Sequence, residues 1–312
     1  MPLPVLLLAL AVSPAYAATY LLPAPDEALI GHEQLASARY EETLLDIARR
    51  YNLGYEDIKL ANPGVDTWIP GQNMPVLLPT RYVLPPGPRE GIVINIAEMR
   101  LYYYPQEPVD GRRVVITHPV SIGRDDWKTP LGTTRIVRKD KDPAWYPPES
   151  IRREHAADGD PLPKVVPPGP DNPLGRYALR LGIPGYLIHG TDKPFGIGMQ
   201  VTHGCMRMYP EDIEAMFRLV PVGTAVRIIN QPVKTGWHRG TLYLEVHPPL
   251  GEAAAAGIGP ALEKVAAALR ERQDYVVDWP WLEGVVAEPR GIPLPVRQRG
   301  ESAQPWLTGS RP

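Results

Sequence analysis

The sequence predicts a mostly β protein with a few short helices, and three observations support this expectation. Proline accounts for 39 of the 312 residues, more than twice its usual share of about 5%. That excess favours long connections, short strands and little helix. Apolar residues alternate with a period of two over residues 91–104, which is typical of a β-hairpin. Helical spacing of apolar residues is restricted to short stretches.

Composition and charge exclude two broad classes of protein. Hydrophobic residues make up 44% and charged residues 22% of the chain, an ordinary globular mixture that differs from a disordered chain. The 33 Lys and Arg nearly balance the 35 Asp and Glu, which leaves a net charge of −2. Because nucleic-acid binding depends on positive charge facing the phosphates, we expect no nucleic-acid partner. The length suggests two domains at roughly 150 residues each.

The N-terminus has the pattern of a secretory signal. A short apolar run over residues 3–12 is followed by Ala15, Tyr16 and Ala17, an A-x-A motif that predicts cleavage after about Ala17. A buried strand of the mature domain is the alternative. No later stretch approaches the ~20 apolar residues of a membrane span. We therefore expect a soluble, exported, periplasmic protein with no integral membrane segment after cleavage.

Residues 38–84 form the first predicted domain. Apolar residues at helical spacing predict a helix over Glu41–Tyr51, a second helix fits Tyr55–Ala61, and residues 74–84 are expected to be extended. The segment resembles a LysM module, a small βααβ domain that binds glycan. The resemblance rests on Glu42-Thr43-Leu44-Leu45-Asp46-Ile47-Ala48, Tyr51, Ile58-Lys59-Leu60-Ala61-Asn62-Pro63 and Ile69-Pro70-Gly71-Gln72. The alternative is a small helical cap on the domain that follows.

A stiff proline linker at residues 85–88 precedes a second predicted domain over residues 90–230. Its elements are one hairpin, several strands and one helix, with a long surface excursion at residues 140–175. In chain order we expect the hairpin Gly91–Tyr104, the strands Val114–Ile122, Thr133–Arg138, Arg176–Leu181 and Tyr186–His189, the helix Pro210–Leu219 and the strand Val222–Ile229. Pro210 at the first helical position marks the start of that helix.

A C-terminal extension over residues 231–312 completes the chain. Thr241–His247 is predicted to be a strand and the alanine-rich segment Ala253–Arg272 a helix interrupted by glycine. Residues 285–312 contain prolines and arginines, so we expect them to be mobile.

Residues suited to catalysis are concentrated in one segment. Ile188-His189-Gly190-Thr191 is followed by Thr202-His203-Gly204-Cys205-Met206-Arg207-Met208, which contains the only cysteine. A thiolate nucleophile requires a nearby base and donors for an oxyanion. His189 ends an apolar strand, and Gly204 allows the backbone to turn so that amides converge beside the sulfur. A helix start after Cys205 would favour the thiolate further. The pattern therefore predicts a Cys–His acyl-transfer site.

Two other interpretations of these residues are open on chemistry alone. His189, His203 and Cys205 can be read as three zinc ligands with water as the fourth, since zinc accepts nitrogen and sulfur donors. They can also be read as packed core residues. The neighbouring glycines argue against a core, because flexible backbone contributes nothing to packing there.

The segment resembles the signature of YkuD-type L,D-transpeptidases, in which a histidine and a glycine-containing loop precede Ser/Thr-His-Gly-Cys. The whole chain is similar to the ErfK/YbiS group of that family. Further segments that fit the group are Gly91-Ile92-Val93-Ile94-Asn95, Glu98-Met99-Arg100-Leu101-Tyr102-Tyr103-Tyr104, Pro168-Gly169-Pro170-Asp171-Asn172-Pro173 and Pro221-Val222-Gly223-Thr224. The resemblance implies a YkuD-like β-sandwich with short helices and a transpeptidase that acts on peptidoglycan.

The resemblance also implies how the motif works. Cys205 would be the nucleophile that attacks the diaminopimelate carbonyl of a tetrapeptide stem and releases D-Ala. His189 would act as general base and then as acid, oriented by the carbonyl of Gly190 as the third member of a triad. Backbone amides near Gly204 and Cys205 would form the oxyanion hole. Neither a cofactor nor a metal ion is expected.

Three further residues complete the site that the resemblance implies. His203 would sit beside the thiol and help to bind or polarise the substrate. Arg207 would contact a substrate carboxylate or the motif loop, and a purely structural arginine is the alternative. Thr202 would form local hydrogen bonds.

The expected partners are peptidoglycan tetrapeptide stems and an acceptor amine. In the ErfK/YbiS group the acceptor is the C-terminal lysine of an outer-membrane lipoprotein, and we favour it here. The alternatives are a second stem, which gives a 3-3 cross-link, and water, which would make the protein an L,D-carboxypeptidase. A non-catalytic wall-binding protein is an alternative from another class. Because an oxidised thiol would be inactive, we also expect a thiol-reducing partner.

Overall fold

The computed structural model describes residues 18–251, 257–270, 272 and 275–300. The predicted signal and its cleavage site lie outside these residues, as do the tail beyond residue 300 and parts of the predicted helix Ala253–Arg272. Across the described ranges, no helix combines the length and apolar character that crossing a membrane requires.

The described residues form short strands and six helices. The strands are β1 (Ala18–Leu21), β2 (Leu29–Gly31), β3 (Gln34–Ser37), β4 (Pro75–Leu78), β5 (Arg81–Val83), β6 (Gly91–Asn95), β7 (Arg100–Tyr104), β8 (Val114–Pro119), β9 (Ile122–Gly123), β10 (Gly132–Lys141), β11 (Tyr177–Leu181), β12 (Leu187–His189), β13 (Gln200–Thr202), β14 (Met206–Arg207), β15 (Ala225–Ile229), β16 (Val233–His238), β17 (Thr241–Val246) and β18 (Leu294–Pro295). The helices are α1 (Leu44–Arg50), α2 (Tyr55–Ala61), α3 (Glu149–Ala157), α4 (Pro210–Leu219), α5 (Gly259–Ala268) and α6 (Trp279–Ala287).

The mostly β class is confirmed, and one nine-stranded sheet organises the centre of the molecule. Its strand order is β1-β8-β7-β6-β15-β10-β11-β12-β14. The predicted hairpin forms its middle, with β6 antiparallel to β7 and Ile94 opposite Leu101. Ile94 and Leu101 face one hydrophobic core, whereas Val93 and Tyr102 face another. Because alternate side chains of a strand point to opposite faces, both faces of this hairpin are buried.

The N-terminal part has a β-α-α-β order, in which β3 pairs antiparallel with β4 around α1 and α2. Helix α2 has the predicted bounds, whereas α1 begins later than Glu41 because Thr43 caps it. The Thr43 hydroxyl accepts from the Asp46 amide at 3.1 Å, and the Asp46 carboxylate accepts from the Thr43 amide at 3.0 Å. Such a capping box satisfies two amides that the helix leaves unpaired.

This βααβ unit is packed against the loop that leads to Cys205. The amides of Tyr55 and Glu56, at the start of α2, donate to the carbonyls of Ile197 and Gly198 at 2.9 and 3.2 Å. Gly198 has φ +80°, and a Cβ there would overlap the backbone of Gly54. The close approach therefore requires glycine at position 198.

Buried polar pairs join the same unit to the central sheet. Asp57 accepts from Arg100 at 2.5 Å, and both side chains are buried. Asn52 donates to Asp212 at 2.7 Å, and Asp212 lies 3.1 Å from His118. The helical unit is thus fixed to the sheet by charged and polar contacts as well as by packing.

The excursion at residues 140–175 contains a helix that the sequence analysis did not predict. Helix α3 begins directly after Pro148. The many prolines and glycines of the excursion suggested a loop, yet the segment is well anchored. The buried Asn172 amide nitrogen donates to the carbonyls of Pro143 and Pro167 at 2.9 and 3.0 Å. These bonds hold the two ends of the excursion together.

The C-terminal extension is more structured than predicted. The predicted strand Thr241–His247 corresponds to β17, which pairs with the unpredicted β16 and with β18. The expectation of mobility is wrong for the described part of residues 285–312. Ile292 and Leu294 are buried and pack with Ala61 of the N-terminal unit, because these apolar side chains complete a small core between the two ends of the chain.

A buried charged cluster marks the junction of the three parts. The Lys234 ammonium donates to Glu98 at 2.5 Å, lies 2.9 Å from Glu245, and donates to the Val83 carbonyl at 2.7 Å. His247 lies 2.7 Å from Glu245. The N-terminal unit contributes the Val83 carbonyl, the second domain Glu98, and the C-terminal extension the other three residues of this single network.

Candidate active site

Two neighbouring strands bring Cys205 and His189 to one face of the sheet. β12 pairs parallel with β14, with Ile188 opposite Met206 and His189 opposite Arg207. Because side chains alternate along a strand, Ile188 and Met206 enter the hydrophobic core. His189, Arg207 and the adjacent Cys205 lie on the other face. Cys205 and His189 are diagonal neighbours there.

His189 is buried and neutral. It is 5% exposed, and its Nδ1 lies 2.7 Å from the Gly190 carbonyl oxygen. A carbonyl can only accept, so Nδ1 carries the hydrogen and Nε2 is left as the acceptor. Burial, together with the charge of Arg207, lowers the pKa of His189 to about 3. The imidazole is therefore a base at neutral pH, oriented by Gly190.

Cys205 is a partly buried thiol rather than a preformed thiolate. Burial raises its pKa to about 11, although a hydrogen bond from the backbone of Leu187 and the charge of Arg207 oppose this shift. The expected helix start beside the thiol is wrong. The chain continues into β14, and α4 begins only at Pro210. In the described part of the chain, therefore, no helix N-terminus is next to the sulfur to offset the desolvation of a thiolate.

The Thr202 hydroxyl fixes the turn that carries the thiol. It donates to the Cys205 carbonyl at 2.6 Å and accepts from the Gly204 amide at 3.2 Å. Gly204 has φ +98°, and a Cβ there would lie 2.8 Å from the ring of Tyr186. Thr129 Oγ1 donates to the Gly204 carbonyl at 2.9 Å. The turn thus requires glycine and has little freedom.

These contacts also determine which backbone amide of the turn is available to bind an oxyanion. The Gly204 amide is used within the turn by Thr202. The Cys205 amide has no hydrogen-bond partner among the residues the structure describes. It is therefore the amide near the sulfur that is available to an oxyanion.

His203 lies within this turn, and its ring is contacted from two sides. Its Nε2 lies 3.3 Å from a carboxylate oxygen of Glu154 on α3. The Trp127 ring meets it edge to face at a centroid distance of 5.1 Å. Burial and the charge of Arg124 lower the pKa of His203, while Glu154 acts in the opposite direction.

Arg207 lies on the same face as the thiol and has no carboxylate partner in the described part of the chain. Its Nε is buried without a hydrogen-bond partner. Burial lowers its pKa, and Asp192 opposes this. A buried guanidinium nitrogen without a partner is costly, so an anionic ligand would be stabilised here.

The three residues of the zinc interpretation do not converge. Among the described residues, one group of three potential ligands has its donor atoms within 4.8 Å of one another, and it consists of Glu98, Glu245 and His247. These three residues lie at the junction, where the two carboxylates already bind the ammonium of Lys234. The His203 imidazole instead faces Glu154.

Sequence reasoning missed the residues that surround His203. Glu154, Arg124 and Trp127 come from the excursion and from the loop between β9 and β10. They are far from the motif along the chain, and no local pattern marks them. The available signal in the sequence was the presence of polar residues without an assigned role in the proline-rich excursion.

The chain is similar in sequence to known L,D-transpeptidases. The family model of the YkuD L,D-transpeptidase catalytic domain matches residues 89–228. The chain is 45% identical over 247 residues to the probable L,D-transpeptidase YbiS of Escherichia coli K12, covering 78% of this chain and 79% of that protein. It is 43% identical over 238 residues to the probable L,D-transpeptidase ErfK/SrfK of Salmonella typhimurium, covering 75% of each.

Among solved structures, the chain is similar to the catalytic domain of an E. faecium L,D-transpeptidase. The TM-score is 0.33 with 21% sequence identity, over 45% of this chain and 96% of that one.

Proposed function

We propose, since this chain belongs to the YkuD-type L,D-transpeptidase family, that Cys205 forms a thioester with a peptidoglycan stem and His189 moves the protons. The observation that carries this proposal is the oriented, neutral imidazole of His189 on the same sheet face as the thiol. Nδ1 is held by Gly190, so Nε2 is the atom that exchanges protons.

In the first half-reaction, the Cys205 sulfur attacks the carbonyl of the third stem residue, a diaminopimelate. The thiol proton passes to His189 Nε2, and the Cys205 amide stabilises the oxyanion. When the tetrahedral intermediate collapses, the bond to D-Ala breaks, and His189 returns the proton to the departing amine. The thioester remains on Cys205.

In the second half-reaction, an amine attacks the thioester carbonyl. His189 accepts the proton of the attacking amine and returns it to the departing sulfur, which restores the thiol. We favour the C-terminal lysine of an outer-membrane lipoprotein as acceptor, because the ErfK/YbiS group is similar over most of the chain. A second stem or water are the competing acceptors.

The remaining residues of the site bind and position the stem. The unpaired guanidinium nitrogen of Arg207 supports a role in binding a substrate carboxylate. Thr202 and Gly204 fix the turn, and His203 on the same turn faces Glu154 of α3.

The βααβ unit and export belong to the same proposal. We assign glycan binding to the βααβ unit, whose loop exposes Trp68 and Ile69. Export after cleavage near Ala17 and maintenance of the thiol by a reducing partner follow from the cell-wall substrate. Glycan binding is tested by co-sedimentation with purified peptidoglycan, comparing the protein with a Trp68→Ala variant.

Intact-mass spectrometry of the reduced protein with a disaccharide-tetrapeptide tests the central claim. We expect an adduct of the tetrapeptide without its D-Ala on the native protein and none on Cys205→Ala. An adduct on Cys205→Ala, or release of D-Ala by Cys205→Ala at the native rate, would refute the assignment of the nucleophile. The absence of both adduct and D-Ala release with the reduced native protein would favour the non-catalytic wall-binding alternative.

The acceptor is tested by adding peptides to the acylated enzyme. A peptide with a free C-terminal lysine should discharge the thioester and appear joined to the tripeptide. The matched control is the same peptide with an acetylated lysine side chain. Discharge only by a second stem, or only by water, would replace the lipoprotein with one of the alternatives.

A further inference from the structure

Glu154 lies where three segments around the thiol meet. It belongs to α3, and its carboxylate accepts from Arg124 and, at 3.1 Å, from the indole nitrogen of Trp127. His203 Nε2 approaches the same carboxylate to 3.3 Å. One side chain therefore links α3, the loop between β9 and β10, and the turn before Cys205.

We propose that Glu154 is a positioning residue for acyl transfer, which holds α3 and the loop between β9 and β10 against His203 on the turn that carries Cys205. The inference rests on the proposed function. His203 is two positions from the nucleophile, and the Thr202 hydroxyl joins both ends of the intervening turn. A shift of the His203 ring would therefore be transmitted to the sulfur through a short and rigid segment.

A purely stabilising salt bridge does not account for this arrangement. The Arg124 and Glu154 side chains are 31% and 29% exposed, and partly exposed ion pairs contribute little to folding. Glu154 also accepts from two donors on the loop between β9 and β10 and lies 3.3 Å from His203 Nε2, two residues before the thiol. Loss of its charge should consequently be felt in the site more than in the stability of the fold.

The charges around His203 give an independent readout. Arg124 and His155 lower its pKa in addition to burial, whereas Glu154 raises it. Asp126 also interacts with this imidazole, and it pairs with Arg124. Removal of the Glu154 charge should therefore lower the pKa of His203 further.

The test compares Glu154→Gln with Glu149→Gln. Both substitutions remove one negative charge from α3, but Glu149 is exposed and forms no ion pair within the described ranges. We expect Glu154→Gln to slow thioester formation by roughly 10-fold to 100-fold, as small misplacements of reacting groups do. The pKa of His203, measured by NMR, should fall in Glu154→Gln. Glu149→Gln should match the native enzyme in both measurements.

The outcomes separate this inference from the proposed function. If the native enzyme forms thioester and Glu154→Gln matches Glu149→Gln in rate and in the His203 pKa, the positioning role is overturned. If the native enzyme forms no thioester, the proposed function fails, and the rate of Cys205 alkylation by iodoacetamide tests positioning instead. An alkylation rate equal in both variants would then overturn the inference.

A second variant covers the case in which Glu154→Gln does not fold. Trp127→Phe retains an aromatic ring beside His203 but removes the indole donor to Glu154. It should slow thioester formation in the same direction and by a smaller factor. An unchanged rate in folded Trp127→Phe would count against the proposal.

Discussion

The active site and the junction are both buried polar centres, but they arrange charge in opposite ways. At the active site, His189 donates to the Gly190 carbonyl and pairs with no carboxylate among the described residues. At the junction, the Lys234 ammonium lies between the carboxylates of Glu98 and Glu245 at 2.5 and 2.9 Å. The first centre gives its base a carbonyl partner and a nearby cation, Arg207, that it does not pair with, whereas the second consists of paired charges.

Because of this difference, the active site is suited to proton transfer, whereas the junction stabilises the fold. The Gly190 carbonyl orients His189 and acts to raise its pKa, but burial and the charge of Arg207 lower it on balance. The imidazole therefore stays neutral, so Nε2 can accept a proton from the thiol and release it again. Paired charges in a low dielectric resist separation, because either partner alone would be buried and uncompensated. Changes at the active site should therefore affect the reaction rate, and changes at the junction should affect the free energy of unfolding. The experiments below start from this difference.

The largest effect is expected for His189→Gln. Glutamine cannot accept the thiol proton, so the rate of thioester formation should fall by roughly 10²-fold to 10⁴-fold. The matched control is His247→Gln, a buried histidine that lies 2.7 Å from Glu245 at the junction. It should lose stability and retain the rate of the folded enzyme. Equal rates in the two variants would erase the distinction between the centres.

The next effect is expected for Lys234→Met. The variant leaves Glu98 and Glu245 buried without their cation, which should reduce the free energy of unfolding by about 3–5 kcal/mol. Urea unfolding at neutral pH measures the loss. The control Lys59→Met removes a half-exposed lysine that is 3.7 Å from Glu56, and should cost no more than about 1 kcal/mol. An equal loss of the free energy of unfolding in both variants would show that the buried ion pairs of the junction contribute no more stability than the exposed pair of Lys59.

Acid should weaken the junction as the pH falls below about 4.5. Burial acts to raise the pKa of Glu245, but the charge of Lys234 and the hydrogen bond of His247 lower it to about 2. In the unfolded chain it is 4.5. This carboxylate therefore contributes stability above pH 4.5 that is lost as the pH falls towards 2, of order 2–3 kcal/mol.

The measurement is urea unfolding between pH 7 and pH 2 for the native protein and Glu245→Gln. The native free energy of unfolding should decline more steeply than that of the variant over this window. Parallel curves would mean that Glu245 has the same pKa in the folded and unfolded chains.

The smallest effect concerns the contact that connects the N-terminal unit to the catalytic loop. Gly198→Ala places a side chain at φ +80° and against the backbone of Gly54, which should cost about 1–2 kcal/mol for the conformation alone. The variant should also acylate more slowly, because Ile197 and Gly198 accept from the amides of α2. Thermal unfolding and the acylation rate measure both effects.

Gly196→Ala is the control on the same loop. Its φ is not positive, and a Cβ there would have its nearest neighbour at 3.9 Å. It should leave stability and acylation close to native. A loss equal to that of Gly198→Ala would mean that any side chain on this loop is destabilising, with or without contact to the N-terminal unit.

Local patterns were sufficient for the elements and the motif. The period-two alternation predicted the hairpin that is now β6 and β7, and the Pro210 signal predicted α4 with its observed bounds. The mostly β class and the family resemblance were also available from sequence. These features depend on neighbouring residues, so a short window of sequence contains their physical cause.

The tertiary structure decided what lies around those elements. β1 joins the edge of the central sheet beside β8, α3 places Glu154 next to His203, and the C-terminal segment packs onto Ala61. The protonation of Cys205 also had to be read from the fold, since burial raises its pKa where a helix start was expected to lower it. Contacts between distant segments, and the desolvation they cause, depend on how the whole chain packs, and no local pattern contains that information.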